Sequence, residues 1–339
     1  MKSNEYFSLK FNEGLVHFVD QTLLPFKEEI QTTENYQEIA EAIKCLAIRG
    51  APLIGIVAAY AVALSQKKGY SQERYNQAEK TLAESRPTAV NLFHALKLMR
   101  KVFDSLTEGH NQTDAYNLLI SKAIEYHNHD SIMCDTLAEH GTAIFTKPSV
   151  VLTHCNTGKY ATGGIGTALG VIRRGYEKGL VTHVYVDETR PLLQGARLTA
   201  FELMKLQIPF TLITDSMAAH TIREKGVDVV ITGADRIANN GDSANKIGTY
   251  SLAINAHFHR VPFYIAAPSS TFDTDLADGS SIPIEIRAQS EITAINQNPV
   301  TISNITSYNP SFDVTPSSII TGIITEKGIY YAPYNLSIG

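Results

Sequence analysis

A thiol and a carboxyl group each follow a short, β-branched apolar run. Cys155 closes SVVLTHC (149–155) and Asp235 closes VDVVITGAD (227–235). A cysteine at a strand end can be a nucleophile, an acid or base, or a small packed apolar residue, and position alone favours packing. A carboxyl group among apolar strand ends is placed for a raised pKa and general-acid work. Its plainer role is to cap its loop or pair with Arg236. Gly158, Gly163, Gly164 and Gly166 cluster before a helix expected to start near Thr167. Amides at such a turn can hold a phosphate, aided by the helix dipole, or the glycines simply allow a tight strand–helix turn.

Two arginines stand before helix starts. Arg49-Gly50-Ala51-Pro52 breaks one helix and begins another, with Pro52 suited to the first turn. The free amides there and the Arg49 guanidinium would suit a phosphate or a sugar hydroxyl. An arginine closing an interhelical turn onto a carboxylate is the simpler reading. Arg86-Pro87-Thr88 repeats the logic, with Thr88 as a candidate helix cap. Asn245 and Lys246 are expected to begin a helix, with Lys246 either a phosphate partner or a solvated charge. Cys45 is expected inside an apolar helix as core, and Cys134 in a helix without a role.

Other chemistries lack their residues. His127/His129 and His257/His259 are spaced i, i+2 and would point apart on helices. HExxH, CxxC, Walker A and G-x-S-x-G patterns are absent, and GGIGTALG matches a dinucleotide fingerprint only superficially. No metal or nucleotide cofactor is expected. Lys and Arg total 29 against 34 Asp and Glu, so the basic excess of a phosphate-driven nucleic-acid binder is missing. Three cysteines are too few for a disulfide scaffold and fit a reducing compartment. The N-terminal stretch shows no apolar leader, and the apolar run 51–64 is too short to span a bilayer. A cytoplasmic protein without a membrane partner is the expectation.

The elements that must position these groups fall into two textures. Residues 1–147 read as mostly helical, over 36–48, 52–66, 89–103 and 114–145, after a short strand pair before residue 33. Residues 148–339 alternate short apolar runs, at 149–154, 181–187, 209–214, 227–235 and 262–268, with helical stretches at 166–178, 196–206, 218–225 and 247–259. That alternation predicts βαβ units and a parallel sheet. Open parallel sheets bind ligands beyond the carboxyl ends of their strands, where this chain concentrates Gly, Asn, Asp and Thr.

The motifs as a set resemble the methylthioribose-1-phosphate isomerase family. That group also holds ribose 1,5-bisphosphate isomerase and the regulatory subunits of a eukaryotic translation-initiation exchange factor. The matching stretches are VDQTLLP (19–25), IRGAPLIGIVAAY (48–60), SRPTAVNLFHAL (85–96), HCNTGKYATGGIGTALGVIR (154–173) and DETRPLLQGARLTAFEL (187–203). They continue with TDSMAAH (214–220), GADRIANNGDSANKIGTYSLAI (233–254), STFD (270–273), IPIE (282–285) and FDVTPSSIITGIITEKG (312–328).

The resemblance implies an α/β fold, with a smaller helical N-terminal domain and a Rossmann-like C-terminal domain. It implies catalytic roles for Cys155 and Asp235. Substrate contacts fall on Arg49, Gly50, Ala51, Arg86, Gln194, Asn245 and Lys246, with Gln194 resting on the resemblance alone. The implied reaction converts 5-methylthioribose 1-phosphate to 5-methylthioribulose 1-phosphate, a step of methionine salvage. 5-Deoxyribose 1-phosphate and ribose 1,5-bisphosphate are alternative substrates, and a homodimer is implied. Of other classes, a regulatory subunit binding a sugar phosphate or nucleotide is the main competitor; a nucleotide-dependent oxidoreductase rests only on the glycine cluster. The chain departs from the family at His94, where Trp is common, at IPIEIR (282–287) and at TGKYATGGIG (157–166), so the C5 preference stays open.

Overall fold

The computed structural model describes residues 6–87, 89–106, 112–295, 297–334 and 336. Packing divides the chain into two units, Met1–Met133 with Lys159–Ile165, and Cys134–Gly158 with Gly166–Gly339.

In the first unit β1 (Leu9–Asn12), β2 (Leu15–Val19) and β3 (Ile30–Thr33) form an antiparallel sheet, one strand more than the sequence suggests. α1 (Tyr36–Lys44) starts at Asn35, whose side chain accepts the Gln37 amide, and stops at Cys45. Cys45 is exposed at that helix end, not core, because the helix terminates before its apolar face would turn inward again. α2 (Ala51–Leu64) is buried from Leu53 to Leu64, which is why its sequence is apolar all round. α3 (Gln72–Ser85) is absent from the sequence reading: only Tyr75, Ala78 and Leu82 are buried in an otherwise polar helix. α4 (Val90–Asp104) follows, with Ala89 at its cap position; Thr88, the candidate cap, lies outside the described residues. α5 (Gln112–Gly141) contributes residues to both units. The texture of the sequence changes later, at 147/148, because one long helix carries the chain from one set of contacts to the other.

The second unit runs β4 (Ser149–Thr153), α6 (Ala168–Glu177), β5 (Val181–Asp187), α7 (Ala200–Lys205), β6 (Phe210–Ile213), α8 (Ala218–Lys225) and β7 (Val229–Thr232). Next come β8 (Arg236–Ala238), β9 (Ser243–Lys246), α9 (Thr249–Phe258), β10 (Phe263–Ala266) and β11 (Phe272–Asp273). α10 (Ser290–Thr293), β12 (Ala294–Ile295), β13 (Asn298–Pro299), β14 (Phe312–Thr315), β15 (Gly322–Thr325) and β16 (Gly328–Tyr330) complete it.

Among the described residues a seven-stranded sheet has the order β16-β15-β10-β7-β4-β5-β6, parallel except for edge strand β16. From β4 the chain lays β5 and β6 to one side, then crosses to place β7, β10 and β15 on the other. The order therefore reverses between β4 and β7, the place where open α/β sheets leave a crevice at their carboxyl ends. Successive strand residues point to opposite faces. Val151, Ile231, Ala266 and Ile324 pack with α6, while Leu152, Val230, Ile265 and Ile323 pack with α8 and α9. A smaller sheet, β11-β8-β9-β14, forms from the loop beyond β7 and later chain. Among the described residues no helix is long and apolar enough to cross a membrane.

Candidate active site

Cys155 lies two residues beyond β4 in a left-handed conformation, φ 63°. That region costs a side chain about 1 kcal/mol or more and normally goes to Gly or Asn. The turn is fixed from both sides. The Cys155 amide donates to Thr189 Oγ1 at 2.9 Å, and its carbonyl accepts from Thr199 Oγ1 at 2.6 Å. A thiol kept where glycine fits better points to a use for the thiol. The side chain is largely buried.

Asp235 follows β7, the strand paired with β4, in register Thr153↔Ile231. Its amide donates to the Ala244 carbonyl at 2.8 Å, which sets it beside β9. Arg236 pairs with Asp273 at 3.2 Å. Asn245 and Lys246 do not begin a helix. They lie on β9 between β8 and β14, and the positive φ of Gly248, 104°, separates them from α9. Asn245 is buried, with Nδ2 donating to Thr249 Oγ1 at 2.9 Å. Lys246 Nζ donates to the Ser311 carbonyl at 2.7 Å and lies over the Phe312 ring.

Beyond β5 the loop is equally constrained. Thr189 and Leu193 also have positive φ, 64° and 59°. Asp215 accepts the amides of Thr189 and Arg190 at 2.8 and 2.7 Å, holding the loop that holds Cys155. Gln194 precedes the π-helical turn Gly195–Thr199; its Oε1 is buried without a hydrogen-bond partner among the described residues. An orphaned amide oxygen in such a loop marks a place for a donor to arrive. A Cβ on Gly195 would overlap the Asp187 carbonyl oxygen and lie 2.9 Å from Thr189 Oγ1.

His154, Asp187, Asp215, Thr189 and Thr199 escape sequence reasoning, although all lie at or beyond the carboxyl ends of strands. His154 is buried, with Nδ1 3.0 Å from Asp187 Oδ2 and Nε2 2.9 Å from the Ile247 carbonyl. Burial opposes charge on this ring. The Asp187 hydrogen bond and charge, the charge of Asp215 and the Ile247 carbonyl outweigh it, and the imidazole is held above its usual range. Donor atoms of His154, Asp187 and Asp215 lie within 4.8 Å of one another, a spacing a metal could use. Here His154 is bonded to Asp187 and to the Ile247 carbonyl, while Asp215 accepts the Thr189 and Arg190 amides.

The glycines beside Cys155 serve packing. A Cβ on Gly158 would press on the buried Glu202 carboxylate, and on Gly166, φ 101°, it would strike the Thr157 backbone. Thr157 also engages the start of α6, its carbonyl accepting from Thr167 and its Oγ1 from Leu169.

Arg49, Gly50, Ala51 and Arg86 belong to the first unit. Gly50, φ 93°, caps α2, and a Cβ there would lie 2.6 Å from the Ala161 carbonyl oxygen. Leu53 donates its amide to that oxygen at 3.2 Å. Arg86 ends α3, and its carbonyl accepts from Ala89.

A Caldicellulosiruptor saccharolyticus protein named methylthioribose-1-phosphate isomerase is 48% identical over 333 residues, 97% of each chain. The crystal structure of 5-methylthioribose 1-phosphate isomerase from Pyrococcus horikoshii superposes with TM-score 0.92 at 35% identity, covering 99% of this chain and 95% of that one. The crystal structure of the translation initiation factor eIF-2B, subunit delta, from A. fulgidus gives TM-score 0.88 at 38% identity over 97% of both chains. The model of the Initiation factor 2 subunit family matches residues 47–332, and the chain belongs to that family.

Proposed function

We propose that the chain isomerises 5-methylthioribose 1-phosphate to 5-methylthioribulose 1-phosphate, a step of methionine salvage, with Cys155 and Asp235 as its reacting groups. One observation supports these two residues above all. They stand past the ends of β4 and β7, neighbouring strands at the reversal of strand order. Near-full-length identity to relatives bearing the isomerase name supports the reaction.

Phosphate on C1 blocks the free aldehyde that ordinary aldose–ketose isomerisation uses. The ring must open with phosphate attached: the C1–ring-oxygen bond breaks and that oxygen gains a proton. Hydrogen then moves from C2 to C1 while the C2 hydroxyl gives up its proton, so the protons balance without an outside oxidant or reductant. Asp235 donates to the ring oxygen. Cys155 stabilises charge or carries a proton at C1 and C2. Arg49, Arg86, Lys246, Asn245, Gln194 and the amides at Gly50 and Ala51 hold phosphate and hydroxyls, and such positioning supplies much of the barrier reduction.

Proton NMR in D2O, with methylthioribose 1-phosphate, 5-deoxyribose 1-phosphate and ribose 1,5-bisphosphate offered separately, tests the reading. Fastest conversion of the first is expected. Preference for another corrects the substrate and keeps the reaction. Deuterium at C1 demonstrates proton exchange; full retention favours hydride shift or a shielded proton. Since a structure named as an initiation-factor subunit matches at 38% identity, failure of folded protein to convert any of the three favours a binding module without turnover.

The reading includes a homodimer in the cytoplasm, where a reducing medium keeps the Cys155 thiol from oxidising to a disulfide. Tyr250, Ile254 and Phe258 recur every four residues on α9, exposed at 38%, 45% and 79%. Such an apolar stripe suits a second copy. Sedimentation equilibrium at micromolar protein is expected to give the mass of two chains, and a one-chain mass would end this part of the reading.

A further inference from the structure

We propose that His154 is a positioning residue, held doubly protonated, that ties the Cys155 turn to the segment carrying Asn245 and Lys246; its kinetic consequence rests on the isomerase reading above. His154 directly precedes Cys155, and Ile247 directly follows Lys246. The ring bridges them: Nδ1 meets Asp187 Oδ2 at 3.0 Å and Nε2 meets the Ile247 carbonyl at 2.9 Å. The Ile247 carbonyl is an acceptor, and the Asp187 carboxyl is one in its ionised form, which burial opposes and the hydrogen bond and charge of His154 favour. A neutral imidazole has one N–H and one lone pair, so it would turn a lone pair onto one of them. Only the imidazolium donates to both.

The surroundings match that charge. Asp187 faces it from β5, Asp215 from the turn after β6, and Asp313 from β14. Asp313 accepts the amides of Gly248 and Tyr250 at 2.8 and 3.1 Å and so fixes the turn His154 leans on. A Cβ on Gly248 would lie 2.8 Å from His154 Cε1 and 3.0 Å from Nε2, so glycine there lets the ring reach the carbonyl. Asp187 Oδ1 is buried without a hydrogen-bond partner among the described residues, leaving His154 as the main anchor of that carboxylate.

NMR of the full chain with 15N-labelled histidine tests the charge directly and needs no turnover, so its outcome is separable from that of the isomerase reading. Both His154 nitrogens are expected to be N–H at pH 7, where a histidine with the ordinary value of about 6.5 is mostly neutral. A single neutral tautomer at pH 7 overturns the proposal. In kinetics, His154→Gln keeps one donor and is expected to lose kcat about 100-fold with KM within about three-fold, the effect of a small misplacement. Unchanged kcat overturns the positioning role. If His154→Gln does not fold, Asp187→Asn decides. Without the facing carboxylate His154 loses its proton at lower pH, so kcat should fall as pH rises through neutrality where the parent stays flat. A parallel profile overturns it.

Discussion

Cys155→Ala and Asp235→Asn are each expected to fold as the parent does and to lose kcat by about 1,000-fold, the usual range for removing a positioned acid or base. Folding should survive because the hydrogen bonds that fix the Cys155 turn come from its backbone. The amide reaches Thr189 and the carbonyl accepts from Thr199, and alanine keeps both. The Asp235 amide likewise holds Ala244 whatever its side chain. If the two groups serve one proton path, the double variant should be little worse than the worse single variant, since residues acting as a unit are not additive. Arg86→Ala should instead raise KM more than it lowers kcat. Circular dichroism with steady-state kinetics on the four variants and the parent checks all of this. Near-parent kcat in either single variant would remove that residue from the chemistry.

Gly195→Ala is the substitution expected to cost most in stability. Its Cβ would overlap a backbone oxygen at the end of β5, and backbone cannot swing aside as a flexible side chain can. Overpacking of this kind costs about 3 kcal/mol, which for a chain of this length is a fall in Tm of roughly 4 °C. The strained residue sits next to the loop that holds Cys155 and beside Asp187, the partner of His154, so surviving protein should also be impaired in turnover. Gly179→Ala is the control. It has φ 72° but nothing within 4 Å of a Cβ, so it bears only the backbone penalty of about 1 kcal/mol. Calorimetric scans that give the two variants equal Tm would show that the close approach at Gly195 does not govern stability.

Local chemistry made much of the molecule legible beforehand. Short β-branched runs separated by helical stretches specified βαβ units, and the parallel sheet follows from that alternation. The apolar run at 51–64 specified a helix buried all round. The thiol and carboxyl groups at two strand ends were visible as residues, and the resemblance of ordered motifs gave them roles. Amphipathic signals failed where burial is slight, as in α3, where three inward residues leave a polar helix. They also failed where a short strand looks like a helix start. Asn245 and Lys246 join a sheet through β8 and β14, and partners distant in sequence leave no periodicity over four residues.

Tertiary structure alone decided the strand order, and with it the neighbouring ends of β4 and β7 that carry Cys155 and Asp235. Hydrogen bonds between strands depend on contacts far along the chain, so order is not written in local pattern. The left-handed backbone of Cys155 belongs to the same class: nothing in its neighbours requires it, and Thr189 and Thr199 impose it from 34 and 44 residues away. His154 shows the limit most plainly. A histidine beside a cysteine reads as ordinary packing until Asp187 and the Ile247 carbonyl, 33 and 93 residues distant, close on its two nitrogens.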